Sequence, residues 1–293
     1  MSATQPTGLE HASGETAIRP LALAFAITFC IFLLEFGGGI WCGSLALVAD
    51  AMHMAVDLVA LALGLFAAWA AGRPADDKRT FGYHRVEVLA ALGNGIGLWI
   101  IVGVLLHEAW GRFNAPRDVR VVEMIIIAVI GLAANLIAAA LLFRHSHNNL
   151  NVKGVLLHVL SDALGSIGAI AAGIAMWAGG WMIADSLATV FICVVITFTS
   201  YKLIRESIHI LLEGAPADVD IGALRRSLGS LEGVVEVHDL HLWSLCSGSA
   251  SMSGHLVIEP GRDEQAVRLA GAELLRREFG LTHLTLQIER RGD

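Results

Sequence analysis

The stretch "LALVADAMHMAVDLVALALGLFAAWAA", residues 45–71, is apolar enough for a membrane helix, yet it holds Asp50, His53 and Asp57. A helix needs about 20 apolar residues to cross a bilayer. A charge at the centre of such a helix costs roughly 2.5–3.5 kcal/mol on the most lenient scale. Residues so placed need a partner. His53 and Asp57 are four apart, which puts them on one helical face where both can contact a single object.

The rest of the chain supports the membrane reading. It has 293 residues, 55% hydrophobic and 16% charged, with a mean hydropathy of +0.65. Six apolar stretches are long enough to span: 20–41, 45–71, 86–110, 119–143, 152–178 and 182–204. Mixed charge follows Tyr201. The chain therefore divides into an N-terminal segment (1–19), a six-helix transmembrane domain (20–205) and a soluble tail (206–293). Arg73, Lys78, Arg79, Arg85, Arg144, Lys153, Lys202 and Arg205 all fall on one side of these spans. By the positive-inside bias both termini are expected in the cytoplasm, although Arg112, Arg117 and Arg120 lie opposite. The first 19 residues lack the basic start of a cleaved signal peptide, so no cleavage is expected. A net charge of −7 leaves no basic stripe for nucleic acid. Cys30, Cys42, Cys193 and Cys246 form no CxxC pair and read as packing residues.

The spacing recurs in the fifth span, "LLHVLSDALGS" (156–166), where His158 and Asp162 repeat the arrangement. Two imidazoles and two carboxylates on counter-running helices make the ligand count of a tetrahedral zinc site. Two ionised Asp side chains also cancel one dication, which makes the loaded site tolerable in a low-dielectric interior. The alternative is a pair of hydrogen-bonded ties between helices. Asp50 is either an outer acceptor for a ligating imidazole or a helix-end residue in water. Glu35 and Asp185 are read as pathway-lining or proton-relay residues, with capping or solvated roles equally open to Asp185 and to Glu108. Small residues at 37–39 and in "GNGIG" (93–97) allow close helix packing.

Four stretches together resemble a known family: "GSLALVADAMHMAVD" (43–57), "FGYHRVEVLAALGNG" (81–95), "LNVKGVLLHVLSDALGS" (150–166) and "VHDLHLWSLCSG" (237–248). They are similar to the cation diffusion facilitators, in particular the zinc-type branch. The resemblance implies that His53, Asp57, His158 and Asp162 are the transport-site ligands. It also implies a homodimer that exchanges a cytoplasmic divalent metal for protons, with no organic cofactor. Imidazole in both pairs suits zinc, cadmium or cobalt better than manganese or magnesium. Metal and protons would compete for the same four side chains.

In the loop "DDKRTFGYHR", Asp76, Asp77 and His84 form either a minor surface metal site or an ordinary charged juxtamembrane loop. His145 and His147 in "RHSHNN" are a short counterpart of the histidine-rich run many relatives carry, and a possible metal collector. The tail reads as helix (218–231), strands (234–245, 250–259), helix (263–279) and strand (281–289), a compact α+β, metallochaperone-like unit. His238, His241, His255, His283 and Glu289 lie in its strands and could hold regulatory zinc. The family stretches favour His238, His255 and Glu289. Gln287 stands where some relatives have a ligand.

Two other classes compete with the transporter. An intramembrane metalloenzyme needs an open coordination position and a general base, and no HExxH or spare Glu stands near the pairs. A metal-sensing receptor would bind metal in the tail without flux. The Ala, Gly and Arg content points to a bacterial inner membrane.

Overall fold

The computed structural model describes residues 9–146, 150–246 and 249–290. Within its helices, the side chains of residues 9–22, 24, 65, 68, 71, 144–146, 150–155, 157 and 158 lie outside that description. Six long helices come first: α1 (Leu9–Cys42), α2 (Leu45–Ala71), α3 (Arg85–Asn114), α4 (Val121–Ser146), α5 (Leu150–Gly179) and α6 (Ile183–Leu211). All six are long and apolar enough to cross a membrane. The tail follows as α7 (Ile221–Gly229), β1 (Val234–Cys246), β2 (Ser249–Ile258), α8 (Glu264–Phe279) and β3 (His283–Arg290). The expected fold class, six spanning helices and an αββαβ tail, is what the chain adopts. Several helices outrun their apolar stretches, α1 at its start and α6 at its end, because helical hydrogen bonding continues into polar sequence where hydropathy stops reporting it.

The chain separates into two compact units, residues 1–62 with 94–201, and residues 63–93 with 202–293. The first holds most of the bundle. Its interior is rich in alanine, including Ala46, Ala49, Ala109, Ala128 and Ala169, which lets helix backbones approach. Its exterior exposes Ile100, Val104, Ile126, Leu187 and Phe198, an apolar surface made for lipid. The second unit unites the α2–α3 loop with the tail, whereas the sequence division at residue 206 separates them. The loop is drawn in by Phe81, edge-on to His283 at 5.4 Å between centroids, and by Arg85, 3.3 Å from Glu213.

The tail's sheet has the order β1-β2-β3, β1 antiparallel and β3 parallel to β2. Parallel pairing requires a crossover, which α8 supplies. Asp263 caps α8 by accepting from the Gln265 and Ala266 N–H groups, and Gly280 ends it in the left-handed conformation. Along β2, Met252, Leu256 and Ile258 are buried in the core with Leu224, Leu275 and Leu286. By strand alternation Ser253, His255 and Val257 face the other way, onto a face no helix of the tail fills.

Candidate metal centres

The start of α2 positions the first group. Gly43 takes a positive φ of 77° to turn the chain from α1 into α2. Ser44 then accepts from the Leu47 N–H at 3.2 Å as an N-cap. The next two orphan donors, the Leu45 and Ala46 N–H groups, bond to the Asp185 carboxylate at 2.7 and 3.2 Å. Ser44 Oγ donates to the same carboxylate at 2.6 Å. Arg112 donates to the Gly43 carbonyl at 2.7 Å and lies 3.5 Å from Asp185. Asp185 is thus a cap supplied from α6, one of the roles the sequence allowed. Glu108 pairs with Arg112 and Arg117 at 3.3 and 3.1 Å.

Two turns further along α2, His53 and Asp57 stand 3.7 Å apart, partly buried. A ligand atom of buried Asp162, from α5, joins them, so that all three lie within 4.8 Å of one another. Tetrahedral donors about 2.0–2.1 Å from a zinc ion are separated by distances in this range. His158 lies on α5 one turn before Asp162; its side chain is outside the described residues. Next to this group lies a cavity of about 30 Å³ lined by Asp50 and His53 from α2 with Gly165 from α5 and Ile192, Val195 and Thr199 from α6. That is room for a water or a bare ion.

Asp50 is buried, which rules out a helix-end position in water. Ser166 Oγ lies 3.5 Å from both Asp50 and Glu35, so three helices bring two more carboxyls beside the group. Gly131 and Gly165 make the space: a Cβ at Gly131 would collide with Glu35, and one at Gly165 with Asp50. Gly93 and Gly97 of the third span play no such part, since a Cβ at either would meet nothing within 4 Å. Close approach occurs instead at Gly38, against Ile127, and at Gly39, against Val48.

The second group is in the tail. His238 and His255 are directly opposed in the β1–β2 register, and Glu289 reaches them from β3. Glu289 lies 2.9 Å from His238 Nε2 and 2.7 Å from His255 Nδ1, and the three form a set with ligand atoms within 4.8 Å. Two nitrogens and a carboxylate from three strands suit a zinc-sized cation. The hydrogen bond from His238 is the main cause that holds the Glu289 carboxyl below its usual range. Gln287 donates its amide to Glu289 at 2.9 Å and orients it.

Asp239 escaped the sequence reading. It sits in an irregularity of β1 between His238 and His241, at a positive φ of 47°. Its carboxylate pairs with His241 at 2.9 Å and lies 3.6 Å from the far nitrogen of His255. The His241 hydrogen bond leads in holding it below the ordinary carboxylate range. His241 therefore engages Asp239 and His283 engages Phe81, and neither joins the metal-sized group. The "HD" dipeptide in an otherwise alternating strand is the signal that could have marked the kink, since Asp tolerates left-handed backbone better than most residues.

The loop residues are not gathered. Asp76 accepts from the Lys78 and Arg79 N–H groups at 2.9 and 2.7 Å and from Tyr83 Oη at 2.7 Å, which makes it a turn-former. Among the described residues, Asp76, Asp77 and His84 form no metal-sized group. The side chain of His145 and all of His147 lie outside the described residues.

Comparison with known proteins identifies the family. The family model described as the cation efflux transmembrane domain matches residues 21–212, and that of the cation efflux protein, cytoplasmic domain, matches 216–291. The chain is 40% identical over 281 residues to the metal cation efflux system protein CzcD of Cupriavidus metallidurans, covering 96% of this chain and 88% of the relative. It is 37% identical over 288 residues to the cadmium, cobalt and zinc/H(+)-K(+) antiporter of Bacillus subtilis, covering 96% and 92%. It is 38% identical over 279 residues to the zinc transporter ZitB of Yersinia pestis, covering 94% and 89%. With six spanning helices, a cytoplasmic tail and this likeness over nearly its whole length, the chain belongs to the cation efflux family, as a zinc-type cation diffusion facilitator that moves metal cations across a membrane.

Proposed function

We propose that this protein exports Zn²⁺, with Cd²⁺ and Co²⁺ as lesser substrates, from the cytoplasm in exchange for protons. The observation that carries the reading is the convergence of His53, Asp57 and Asp162 inside the bundle. His158, one turn before Asp162, completes a two-imidazole, two-carboxylate set. Zinc is the substrate here, held and released, and every donor must lose its proton to receive it. Imidazole titrates near neutrality, so a cytoplasm-facing site loads metal while a more acidic exterior favours the protonated, empty form. Glu35 and Asp50 stand beside the group as two further buried carboxyls able to carry protons, which favours protons as the counter-cargo. The relative from Bacillus subtilis carries both the three metals and H⁺ in its name.

The protein works as a homodimer in a bacterial inner membrane, with both termini cytoplasmic, residues 20–205 as transport domain and 206–293 as regulatory and dimerisation domain. His238, His255 and Glu289 hold a regulatory zinc ion. The open sheet face that carries them supports a position at the dimer contact.

The test is zinc flux into proteoliposomes with an imposed pH gradient. Single replacement of His53, Asp57, His158 or Asp162 by Ala should abolish zinc-driven proton movement. Full transport by any of these variants removes that residue from the site, and flux indifferent to the gradient removes the proton exchange.

A further inference from the structure

The second compact unit contains a cavity of about 670 Å³ that the metal reading leaves unused. The α2–α3 loop and the start of α3 line one wall, and β1 the other. Lys78, Arg79 and Arg85 line it against a single carboxylate, Glu213. Asp76, behind the wall, pairs with Arg79 at 3.9 Å, and Glu213 with Arg85 at 3.3 Å. Among the described residues no ion pair engages Lys78, so the lining retains net positive charge. The remaining surface is apolar, with Phe81, Leu89 and Trp243 prominent.

The depth of this cavity is set by the helices that border it. Leu89 belongs to the first turns of spanning helix α3 and is exposed. Just past the end of α2, Arg73 stacks 4.0 Å over the Trp69 ring, an aromatic–cation pair of the kind that marks the level of lipid headgroups. A basic mouth with an apolar wall at that level matches one chemistry, a phosphate diester with hydrocarbon attached to it.

We propose that this cavity binds an acidic phospholipid of the cytoplasmic leaflet, with its phosphate at Lys78, Arg79 and Arg85 and its first acyl carbons against Phe81, Leu89 and Trp243. Arginine forks suit phosphate oxygens, and the Tyr83 ring under Arg79, 4.8 Å from its guanidinium carbon, keeps that fork in place. Such a lipid bridges the α2–α3 loop and the tail. The assignment is independent of the metal reading.

The test titrates delipidated full-length protein, in detergent, with dihexanoyl phosphatidylglycerol, dihexanoyl phosphatidylcholine and sn-glycerol 3-phosphate, read by calorimetry. Phosphatidylglycerol should bind about tenfold or more tightly than phosphatidylcholine, and Lys78→Glu should erase that preference while Lys78→Arg keeps it. Lys78 is an exposed loop residue, so neither change threatens folding. Equal binding of the two lipids, or a preference untouched by Lys78→Glu, overturns the proposal. Glycerol 3-phosphate binding as tightly as the lipid assigns the cavity to a soluble phosphate ester and overturns the lipid. Hydroxyl-radical protection of Trp243 that is already complete without lipid assigns it to a second copy of the chain, with the same result.

Discussion

The backbone N–H of Leu45 donates to the carboxylate of Asp185 at 2.7 Å, so the first turn of α2 is closed by a residue from the far end of the bundle's sequence. This contact sets where α2 begins, and with it where His53 and Asp57 stand. Asp185→Ala would lose a cap worth about 1 kcal/mol. It would also take Asp185 from Arg112, which keeps Glu108 at 3.3 Å and the Gly43 carbonyl at 2.7 Å, so this further loss is smaller than for a buried charge left alone. A clearly lower melting temperature in detergent is expected, with a smaller fall for Asp185→Asn, which keeps one acceptor oxygen. An unchanged melting temperature for the Ala variant would show that α2 is held in place by other contacts.

Selectivity should follow the donor atoms. Replacing the His53 imidazole by a carboxylate, His53→Asp, leaves a shorter side chain that can bind through one or both oxygens and so admits a larger ion, and the cadmium to zinc transport ratio should rise. Competitive uptake of the two metals in vesicles measures it, and a ratio equal to the parent's defeats the argument.

In the tail, Glu289 is the only anion of its donor set, so Glu289→Gln should weaken zinc binding there by well over tenfold. Asp239 stands behind His255 and acts by orientation, so Asp239→Asn should cost about tenfold, the lower end for partners that orient a ligand. Both are read by zinc titration of the full-length protein carrying Asp57→Ala and Asp162→Ala, which leaves the tail as the binding site. Equal losses in the two variants would make Asp239 a direct ligand.

Glycine positions offer a sharper steric test. Gly131→Ala and Gly165→Ala drive a methyl group into the Glu35 and Asp50 carboxyls and should impair transport strongly. Gly93→Ala and Gly97→Ala meet open space and should transport normally. Loss of flux at all four positions alike would point to helix flexibility as the operative property.

The α2–α3 turn should respond to acid. The Tyr83 hydroxyl, then the Lys78 and Arg79 N–H groups, hold the Asp76 carboxyl below its usual range. A depressed carboxyl stabilises its turn above the unfolded value of about 3.9 and loses that contribution as pH falls through the lower folded value. Protection of the Lys78 and Arg79 amides from hydrogen exchange should therefore hold from neutrality to about pH 4 and drop below it. Asp76→Asn should lower the protection across the whole range, and protection independent of both would mean the turn is held by its backbone alone.

The spans and the tail elements were legible because their signals are local: hydropathy over a bilayer's thickness, two-residue alternation, and Asp or Gly at helix ends. The His53–Asp57 pair was legible for the same reason, since a helix makes residues four apart into neighbours whatever surrounds it. What stayed hidden depends on long-range approach. Nothing around residue 185 announces that its carboxylate caps a helix beginning 140 residues earlier. Nothing in α1 or α5 alone tells that Ser166 stands between Glu35 and Asp50, or that Gly131 and Gly165 are small to admit those carboxyls. Asp239 was missed because strand alternation assumes an unbroken register, which its left-handed backbone interrupts.

The parallel pairing of β3 with β2 has a bearing on how the protein is made. A nascent chain leaving the ribosome exposes His238 and His255 together as soon as the β1–β2 hairpin forms. Glu289 arrives only after α8 has been synthesised and has crossed back over the sheet. Through that interval the hairpin offers two imidazoles without the carboxylate that completes their set, a poorer trap for cytosolic metal, so premature loading is discouraged by the order of translation itself.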